Sequence, residues 1–283
     1  MIVHRIPRIG QNERVRPPVD SPTNPRVAAA LRALRDGERM ALEGARALGE
    51  ALDAGVVPET LFFEPEGADG ALLARAEAAG ALLQPASRRV VERLSGLAAA
   101  RGIVAVALLP RHDVGSLPPG PGNLWLLLDG LQDPSNVGAI LRSAEAFGVA
   151  GALLTSGCAS PFAPRALRAS AGSAFRLPLA TGLAPAEATS WFAGRGILLA
   201  GGVARGGTDP ALAPLPRPVA LAVGSEGRGL SPEVEAALGA RLTLPMRGSV
   251  ESLNAAVAAS LLLYAVSGLG CWVIRRDNPT TQA

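Results

Sequence analysis

Lysine is absent from the sequence, and all 27 basic side chains other than histidine are arginines. Two explanations are open: a GC-rich genome, which favours arginine codons, and selection of arginine for nucleic-acid binding. The formal net charge of +3 is too small to decide between them. The composition, with 48% hydrophobic residues over 283 positions, provides ample core for one large domain or two ordinary ones and excludes a disordered protein.

Cysteine is scarce as well. Cys158 and Cys271 lie far apart, and neither belongs to a CxxC motif or has a paired histidine. This pattern indicates neither a disulfide framework nor a zinc site, and we expect no metal. The N-terminal residues also lack the apolar segment that a secretion signal requires. The expected location is therefore the reducing cytoplasm.

Only one long apolar stretch has the length of a membrane span. Residues 255–274 are twenty residues without a charge. Gly268 and Gly270 interrupt the stretch, and the polar segment 249–254 directly precedes it. Because glycine is unfavourable inside a helix, we predict a shorter helix that is buried in the protein, and no membrane association.

The N-terminal region carries an excess of positive charge. Residues 1–46 contain nine arginines and five acidic residues, which leaves a net charge of +4. The arginines are Arg5, Arg8, Arg14, Arg16, Arg26, Arg32, Arg35, Arg39 and Arg46. We interpret residues 1–25, which are also rich in proline, as a basic arm. Arginine can grip RNA phosphates with its forked guanidinium, but a solvated tail has the same composition.

The sequence predicts a small α/β domain at residues 26–112. Helices are expected at 26–35, 41–54, 71–79 and 90–94, and strands at 56–57, 61–63 and 103–109. Residues 113–123 are rich in glycine and proline and poor in apolar side chains, which is typical of a linker. A second domain then occupies residues 124–270, followed by a tail at 271–283.

The second domain alternates between short apolar runs and helix-like segments. The predicted strands are 124–128, 152–155, 197–200, 219–223 and 241–244, and the predicted helices are 137–147, 163–171, 185–193, 232–238 and 253–266. Such alternation predicts a mostly parallel sheet covered by helices. Ligands bind such sheets outside the carboxyl ends of the strands. The loops that follow Leu128, Ala200, Val223 and Leu244 are therefore the expected place for chemistry.

The first segment with candidate functional residues passes from the strand at 124–128 through a polar turn into a helix. Asn136 is well placed to cap this helix, and Gly148 ends it. In a purely structural interpretation, Asn136 only caps and Arg142 only lies on a solvated face. The position at the carboxyl end of a buried strand favours a functional one.

The second segment, residues 219–233, passes from a strand through a glycine-rich loop to a helix with Ser231 as its cap and Pro232 in its first turn. The loop reads GxxGxG, so it is not the GxGxxG of dinucleotide-binding folds, and it lacks the lysine of a P-loop. Its glycines permit close backbone approach to a flat ligand, and Glu226 stands at the bend.

The third segment, residues 242–260, leads from a short strand through a polar loop into the apolar C-terminal helix. The polar residues are Ser249, Glu251, Ser252 and Asn254. Either Ser252 or Asn254 can cap the helix, but four polar residues exceed what one cap requires. We therefore expect a functional loop.

Taken in order, the three segments resemble the signature motifs of the SpoU (TrmH-type) branch of the SPOUT RNA methyltransferases. The matching residues are Asn-Val-Gly…Arg at 136–142, Gly-x-Glu-Gly at 224–227 and Ser-Leu-Asn at 252–254. Each motif alone is modest, and the three together are highly specific. Residues 24–27 and 42–46 resemble, more loosely, the ribosomal-protein-like substrate-binding domain of family members that act on rRNA.

The resemblance implies a C-terminal α/β domain with a trefoil knot, in which the chain after Val219 threads through a loop. A small α/β ribosomal-protein-like domain that binds the RNA substrate would precede it. Knots are rare, so no periodic pattern would predict one. The resemblance also implies a homodimer whose active sites use both subunits, with the uncharged C-terminal helix in the interface.

The activity implied by the resemblance is methyl transfer from S-adenosylmethionine to a ribose 2′-hydroxyl of RNA. The positions that match cofactor contacts are Gly201, Gly224, Leu244, Met246 and Leu253, and those that match catalytic residues are Asn136, Arg142, Glu226, Ser252 and Asn254. A guanidinium is a very weak base, so we expect Arg142 to hold the target phosphate. Glu226 is the expected partner that fixes this guanidinium.

The expected substrate is 23S-type ribosomal RNA, because the additional N-terminal domain supplies an RNA-reading surface. A tRNA 2′-O-methyltransferase is one alternative. A non-catalytic RNA-binding knot protein is another, and it predicts the loss of Arg142 or Asn254, both of which are present. A nucleotide-binding oxidoreductase would require GxGxxG and an acidic residue further on, and the sequence has neither.

Overall fold

The computed structural model describes residues 15–95, 102–110, 113–118, 123–212, 215–248 and 252–269. They form two compact units. The N-terminal unit comprises the described residues up to 110 together with Phe162–Phe175, and the C-terminal unit comprises the others. Much of the predicted arm, with Arg5, Arg8 and Arg14, and the predicted tail, with Cys271, lie outside the described residues.

The N-terminal unit contains a four-stranded mixed sheet. Its strands are β1 (Arg39–Glu43), β2 (Pro58–Phe63), β3 (Leu82–Pro85) and β4 (Ile103–Leu108), and its helices among the described residues up to 110 are α1 (Pro25–Ala33), α2 (Gly44–Asp53), α3 (Gly70–Ala79) and α4 (Arg88–Leu94). The strand order is β1–β4–β2–β3, with β4 antiparallel to both neighbours and β2 parallel to β3. Helices α1 and α4 share one apolar core with Phe62 and Val104 of the sheet.

The prediction of a single helix over residues 41–54 is wrong in its first part. Met40, Ala41 and Leu42 are buried, and Leu42 lies opposite Ala105 of β4. Pairing with a buried strand outweighs the helix propensity of alanine and leucine. Helix α2 then begins at Gly44, whose φ of +83° allows the sharp change of direction.

The C-terminal unit contains a six-stranded parallel sheet within the described residues. Its strands are β5 (Leu124–Asp129), β6 (Ala152–Thr155), β7 (Leu179–Leu183), β8 (Leu198–Gly202), β9 (Val219–Gly224) and β10 (Ala240–Leu242). The order is β10–β8–β9–β5–β6–β7, and each neighbouring pair is parallel. The predicted α/β class with a mostly parallel sheet is therefore confirmed.

The helices in this half of the sequence are α5 (Pro134–Ala146), α6 (Pro164–Ser170), α7 (Ser173–Arg176), α8 (Pro185–Ala193), α9 (Pro232–Ala236) and α10 (Ala255–Ser267). Trp125 of β5 packs edge-on against Trp191 of α8, with 4.9 Å between ring centroids. Part of the predicted linker joins this core, because Leu117 is buried in it. Helix α6 groups with the N-terminal unit instead, where it packs on β1.

Helix α10 has the predicted short length. It ends at Gly268, which has a φ of +84°, and it packs against α5, β8 and β9. Among the described residues, no helix combines the length and the apolar character that a membrane crossing requires.

The carboxyl ends of four strands are adjacent in the sheet. Asp129 of β5 pairs with Gly224 of β9, Val223 pairs with Gly202 of β8, and Gly202 pairs with Leu242 of β10. The loops that follow these strands therefore begin at one edge, as the sequence predicts.

Candidate active site

Three segments that are far apart in the sequence meet at the carboxylate of Glu226. Its Oε1 accepts hydrogen bonds from Asn136 Nδ2 at 2.8 Å, from Asn254 Nδ2 at 3.2 Å and from the backbone N–H of Ala255 at 3.2 Å. Asn254 Nδ2 also donates to Asn136 Oδ1 at 3.0 Å. One residue from each of the three motifs thus takes part in a single polar cluster.

Asn254 combines this role with capping. Its Oδ1 accepts hydrogen bonds from the N–H groups of Ala256 and Val257, at 3.0 and 3.3 Å, at the start of α10. The cap therefore fixes the amide so that its Nδ2 points to Glu226. Of the other polar residues of this loop, Ser252 is described, and Ser249 and Glu251 lie outside the described part of the chain.

The prediction that Asn136 caps α5 is wrong. Asp133 caps this helix by accepting a hydrogen bond from Ser135 N–H at 2.9 Å, and Pro134 occupies the first turn. The Asp-Pro pair is the stronger start signal, because proline is favoured at the first helical position. Asn136 lies inside the helix, 8% exposed, and its side chain is free to bind Glu226.

The glycine-rich loop after β9 closes on itself. The backbone groups of Ser225 and Gly229 form two mutual hydrogen bonds, of 3.0 and 2.9 Å. A Cβ atom at Gly224 would lie 2.2 Å from the carbonyl carbon of Gly229, so the closed loop requires glycine at position 224. This geometry presents Glu226 at the tip of the loop.

An apolar cavity of about 370 Å³ lies among the loops after β8, β9 and β10 and helix α10. Four of the five predicted cofactor-binding residues line it, together with two predicted catalytic residues: Gly224, Leu244, Met246 and Leu253, with Glu226 and Ser252. Sequence reasoning missed its α10 wall, formed by Ala258, Ala259 and Leu262. The small residues of α10, which leave room for a ligand, were the available signal.

Gly201 does not line this cavity, and Gly202 does. A Cβ at Gly201 would meet Leu238 at 2.5 Å, whereas one at Gly202 would meet Leu262, a cavity residue, at 2.7 Å. Successive residues of a strand face opposite sides of the sheet, so an error of one position reverses the face. We therefore replace Gly201 with Gly202 as the candidate.

A second cavity, of about 750 Å³, borders the same loop. The residues common to both cavities are Ser225, Glu226, Gly227, Gly229 and Ala255. Asn136 lines only the second cavity, as do Asp129 and Asp133. The polar cluster at Glu226 therefore lies between the apolar cavity and the second, more polar cavity.

Sequence reasoning missed Asp129. This carboxylate is 4% exposed, and it accepts hydrogen bonds from Thr155 Oγ1 at 2.9 Å and from Ser231 N–H at 2.6 Å. Because Ser231 follows the glycine-rich loop closely, Asp129 fixes the end of that loop to β5. An acidic residue at the end of a wholly buried strand was the signal for it.

We expect Asp129→Ala to lower the free energy of unfolding by about 2 kcal/mol, since it leaves the partly buried N–H of Ser231 and the buried hydroxyl of Thr155 without their acceptor. Asp129→Asn is the matched control, because its amide can accept from Ser231 and donate to Thr155. Denaturant titration measures both variants. An Ala variant as stable as the Asn variant would contradict this role of Asp129.

Arg142 is exposed on α5 and has no ion pair or hydrogen bond with any residue that the structure describes. The expected pairing of Arg142 with Glu226 is absent, because Glu226 binds the two asparagines instead. Six residues of α-helix separate Arg142 from Asn136 by roughly 9 Å along the axis and about 120° around it. Arg142 therefore lies on a different face of α5 from Asn136, and it lines neither of the two cavities.

No group of three or more His, Cys, Asp or Glu side chains that could hold a metal occurs among the residues described. Cys158 directly follows Gly157, which lines the second cavity. Its Sγ donates a hydrogen bond to the carbonyl of Leu128 at 3.2 Å. Burial raises the pKa of its thiol. The thiol is therefore protonated at neutral pH and poorly suited to act as a nucleophile.

A parallel sheet with an apolar, glycine-lined cavity at its carboxyl edge is typical of α/β proteins that bind small ligands at that edge. Residues 123–264 match the model of the SpoU rRNA Methylase family. An uncharacterized tRNA/rRNA methyltransferase of Mycobacterium avium is 33% identical over 245 residues, which cover 83% of this chain and 79% of that protein. The chain therefore belongs to the SpoU rRNA methylase family.

Two other relatives have more specific descriptions. A 23S rRNA (uridine(2479)-2′-O)-methyltransferase of Streptomyces viridochromogenes is 35% identical over 167 residues, 57% of this chain and 58% of that protein. The match thus spans little more than half of that relative. The AdoMet-bound rRNA methyltransferase of Sinorhizobium meliloti has a similar structure, with a TM-score of 0.79 at 26% identity over 89% of this chain and 97% of that one.

Proposed function

We propose that this protein transfers a methyl group from S-adenosylmethionine to a ribose 2′-hydroxyl of 23S-type ribosomal RNA. The observation that carries the proposal is the meeting of Asn136, Glu226 and Asn254 beside a glycine-lined apolar cavity. The Streptomyces relative, named for 2′-O-methylation of 23S rRNA, supports the reaction and the substrate. The AdoMet-bound Sinorhizobium structure supports the methyl donor.

The apolar cavity fits S-adenosylmethionine. Its volume of about 370 Å³ suits a small ligand. Leu244 and Leu253 offer apolar surface for a flat adenine ring, and the glycine-rich loop allows close backbone approach. Glu226 is the one charged side chain among the described lining residues, and it can compensate the positive charge of a sulfonium. Gly202, Gly224 and Met246 complete the proposed contacts.

When bound, S-adenosylmethionine supplies a methyl group that its sulfonium already activates. A ribose hydroxyl is a weak nucleophile at neutral pH, so the protein must mainly position it. We place the acceptor nucleotide in the second cavity, because both cavities share the Glu226 loop. The hydrogen bonds of Asn136 and Asn254 to Glu226 would hold this shared boundary rigid, with Ser252 on the donor side.

Arg142 is proposed to hold the phosphate of the target nucleotide. A guanidinium stays protonated and forks onto phosphate oxygens, whereas it is a very poor proton acceptor. Since Arg142 lies on a different face of α5 from Asn136 and lines neither cavity of its own chain, we propose that it serves the active site of a second subunit. Its lack of partners among the described residues leaves it available for this role.

A homodimer through α10 is therefore part of the proposal. Val257, Leu261 and Tyr264 are 50%, 47% and 38% exposed, and their spacing places them on one face of the helix. Helix α10 packs on α5, which carries Arg142, and Phe147, directly after α5, contacts Tyr264 with 5.7 Å between ring centroids. An apolar α10 interface would bring Arg142 close to the partner.

We expect Leu261→Glu to convert the dimer into a monomer, because it places a charge in an apolar interface. Methyl transfer should fall with the dimer. The matched control is Leu212→Glu, since Leu212 is 74% exposed and lies outside α10. Light scattering gives the mass of each variant, and a dimeric Leu261→Glu protein would refute the proposed interface.

We also propose that the C-terminal unit is a trefoil knot, with the chain after Val219 threaded through a loop. Two features support it: three separate loops, after β8, β9 and β10, wall one cavity, and α10 packs back on β8 and β9.

The N-terminal unit is proposed to bind the rRNA substrate. The proposed location is the cytoplasm, where ribosomes are made.

Mapping ribose methylation in cells with and without the gene tests the proposed substrate. We expect one 2′-O-methyl group to disappear from 23S-type rRNA in the deletion strain. Loss from a tRNA instead would favour the tRNA methyltransferase. An unchanged map of both RNA classes would favour a non-catalytic RNA-binding protein.

A further inference from the structure

A separate cavity of about 360 Å³ lies in the N-terminal unit, between α1 and the sheet. Ala29, Ala30 and Ala33 form its helix side, and Phe62 and Val106 contribute apolar surface from the sheet. Arginines from three different segments also line it: Arg16, Arg26 and Arg39. Glu59 lines it as well, so the cavity combines an apolar surface with three positive charges and one negative charge.

The three arginines differ in how far they are neutralised. Arg39 forms a forked ion pair with Glu59, at 2.7 and 3.1 Å, and a further bond to Asp36 at 2.9 Å. The side chain of Arg16 has no partner within the described residues, and Arg26 has no acidic partner there. The cavity thus carries two uncompensated positive charges, which favour an anionic ligand.

The guanidinium of Arg26 is held in place by a buried amide. Gln84 is fully buried, and its Oε1 accepts a hydrogen bond from Arg26 Nη1 at 3.1 Å. The Nε2 of Gln84 donates to the carbonyls of Pro17 and Pro85, at 2.7 and 3.1 Å, which fixes the orientation of the amide. Nε and Nη2 of Arg26 make no hydrogen bond to any described residue. The bond from Nη1 to Gln84 thus holds the guanidinium in place, and its Nε and Nη2 donors stay available for a ligand.

We propose that this cavity binds one unpaired nucleotide of the RNA substrate, with its phosphate on Arg16 and Arg26 and its base against the alanine face of α1. Proteins commonly recognise RNA through splayed single-stranded nucleotides, and a forked guanidinium fits a phosphate. This inference rests on the proposed function only in taking RNA as the substrate. It adds a second, non-catalytic nucleotide site in the N-terminal unit.

The test is fluorescence anisotropy with a labelled single-stranded RNA dodecamer and a duplex of the same length, in the absence of S-adenosylmethionine. We expect Arg26→Ala and Arg16→Ala each to weaken single-strand binding about tenfold. Ala29→Leu, which fills the cavity without changing the charge, should weaken it comparably. The matched controls on α1 are Arg32→Ala and Ala28→Leu, both outside the cavity, and they should stay within about twofold of wild type.

Arg16→Ala is informative even if Arg26→Ala misfolds, because the side chain of Arg16 has no described partner to lose and its backbone hydrogen bond to Leu83 is kept. Two outcomes would overturn the inference: an Ala29→Leu protein that binds normally, or an Arg32→Ala protein as weak as the cavity variants. Duplex RNA bound as tightly as the single strand, with the same response to the variants, would overturn it as well. The anisotropy experiment measures RNA binding and not methyl transfer. Its outcome therefore tests this nucleotide site separately from the proposed methyltransferase activity.

Discussion

Gly224→Val is expected to abolish binding of S-adenosylmethionine. A Cβ at this position would lie 2.2 and 2.3 Å from the carbonyl carbon and oxygen of Gly229, and 2.5 Å from the nitrogen of Leu230. These atoms are backbone, so the loop must open and its mutual hydrogen bonds to Ser225 must break. The expected loss therefore comes from collapse of the loop that walls the cavity.

Gly227→Ala is the matched control for this prediction. A Cβ at Gly227 meets nothing within 4 Å, so the loop should keep its shape and most of its affinity. Isothermal calorimetry measures binding, and circular dichroism establishes that each variant is folded. A folded Gly224→Val protein with unaltered affinity would remove the glycine-rich loop from the proposed cofactor site.

Arg142→Ala should leave the fold, the dimer and the affinity for S-adenosylmethionine intact while reducing methyl transfer at least about a hundredfold, the scale of one preorganised charged contact. The physical reason is that Arg142 is exposed and has no partner among the described residues, so folding does not depend on it. Arg142→Lys should restore little of the methyl-transfer rate, because an ammonium restores the charge but not the planar fork of the guanidinium.

Single-turnover transfer to rRNA measures this effect apart from product release. Arg241→Ala is a suitable control, since Arg241 is also exposed, pairs only loosely with Glu235 at 3.7 Å and lines neither cavity of the C-terminal unit. A near-normal rate for Arg142→Ala would refute the role given to this arginine, even in a protein that methylates RNA.

The parallel sheet was predictable because its strands are continuous apolar runs. Residues 124–128 and 219–223 are wholly buried, and a buried strand flanked by turn formers gives a clear pattern. β7 gave no such pattern, since Thr181 and Gly182 in its middle are exposed. The sequence of β1 predicts a helix because alanine and leucine favour helices, and only the pairing with β4 makes this segment a strand.

The motifs predicted which residues belong to the candidate site, but they did not predict the contacts among those residues. The motifs identify Asn136, Glu226 and Asn254, but the hydrogen bonds among them depend on how the loops meet. Helix geometry indicates only that Arg142 and Asn136 lie on different faces of α5; the structure was needed to show that Glu226 lies on the side of Asn136. All three arginines of the N-terminal cavity belong to the arginine excess of residues 1–46, but the sequence could not show that they meet, since the lining residues come from separate helices and strands.

The most direct test of the central claim is transfer of labelled methyl from S-adenosylmethionine to purified rRNA by the wild-type protein, followed by digestion to nucleosides. The proposed activity predicts label in a single nucleoside of 23S-type rRNA, on the 2′-oxygen of its ribose. Ribose methylation also makes the adjacent phosphodiester resistant to alkaline cleavage, which provides an independent readout. Label on a base, or no transfer to rRNA by a folded protein that binds S-adenosylmethionine, would contradict it.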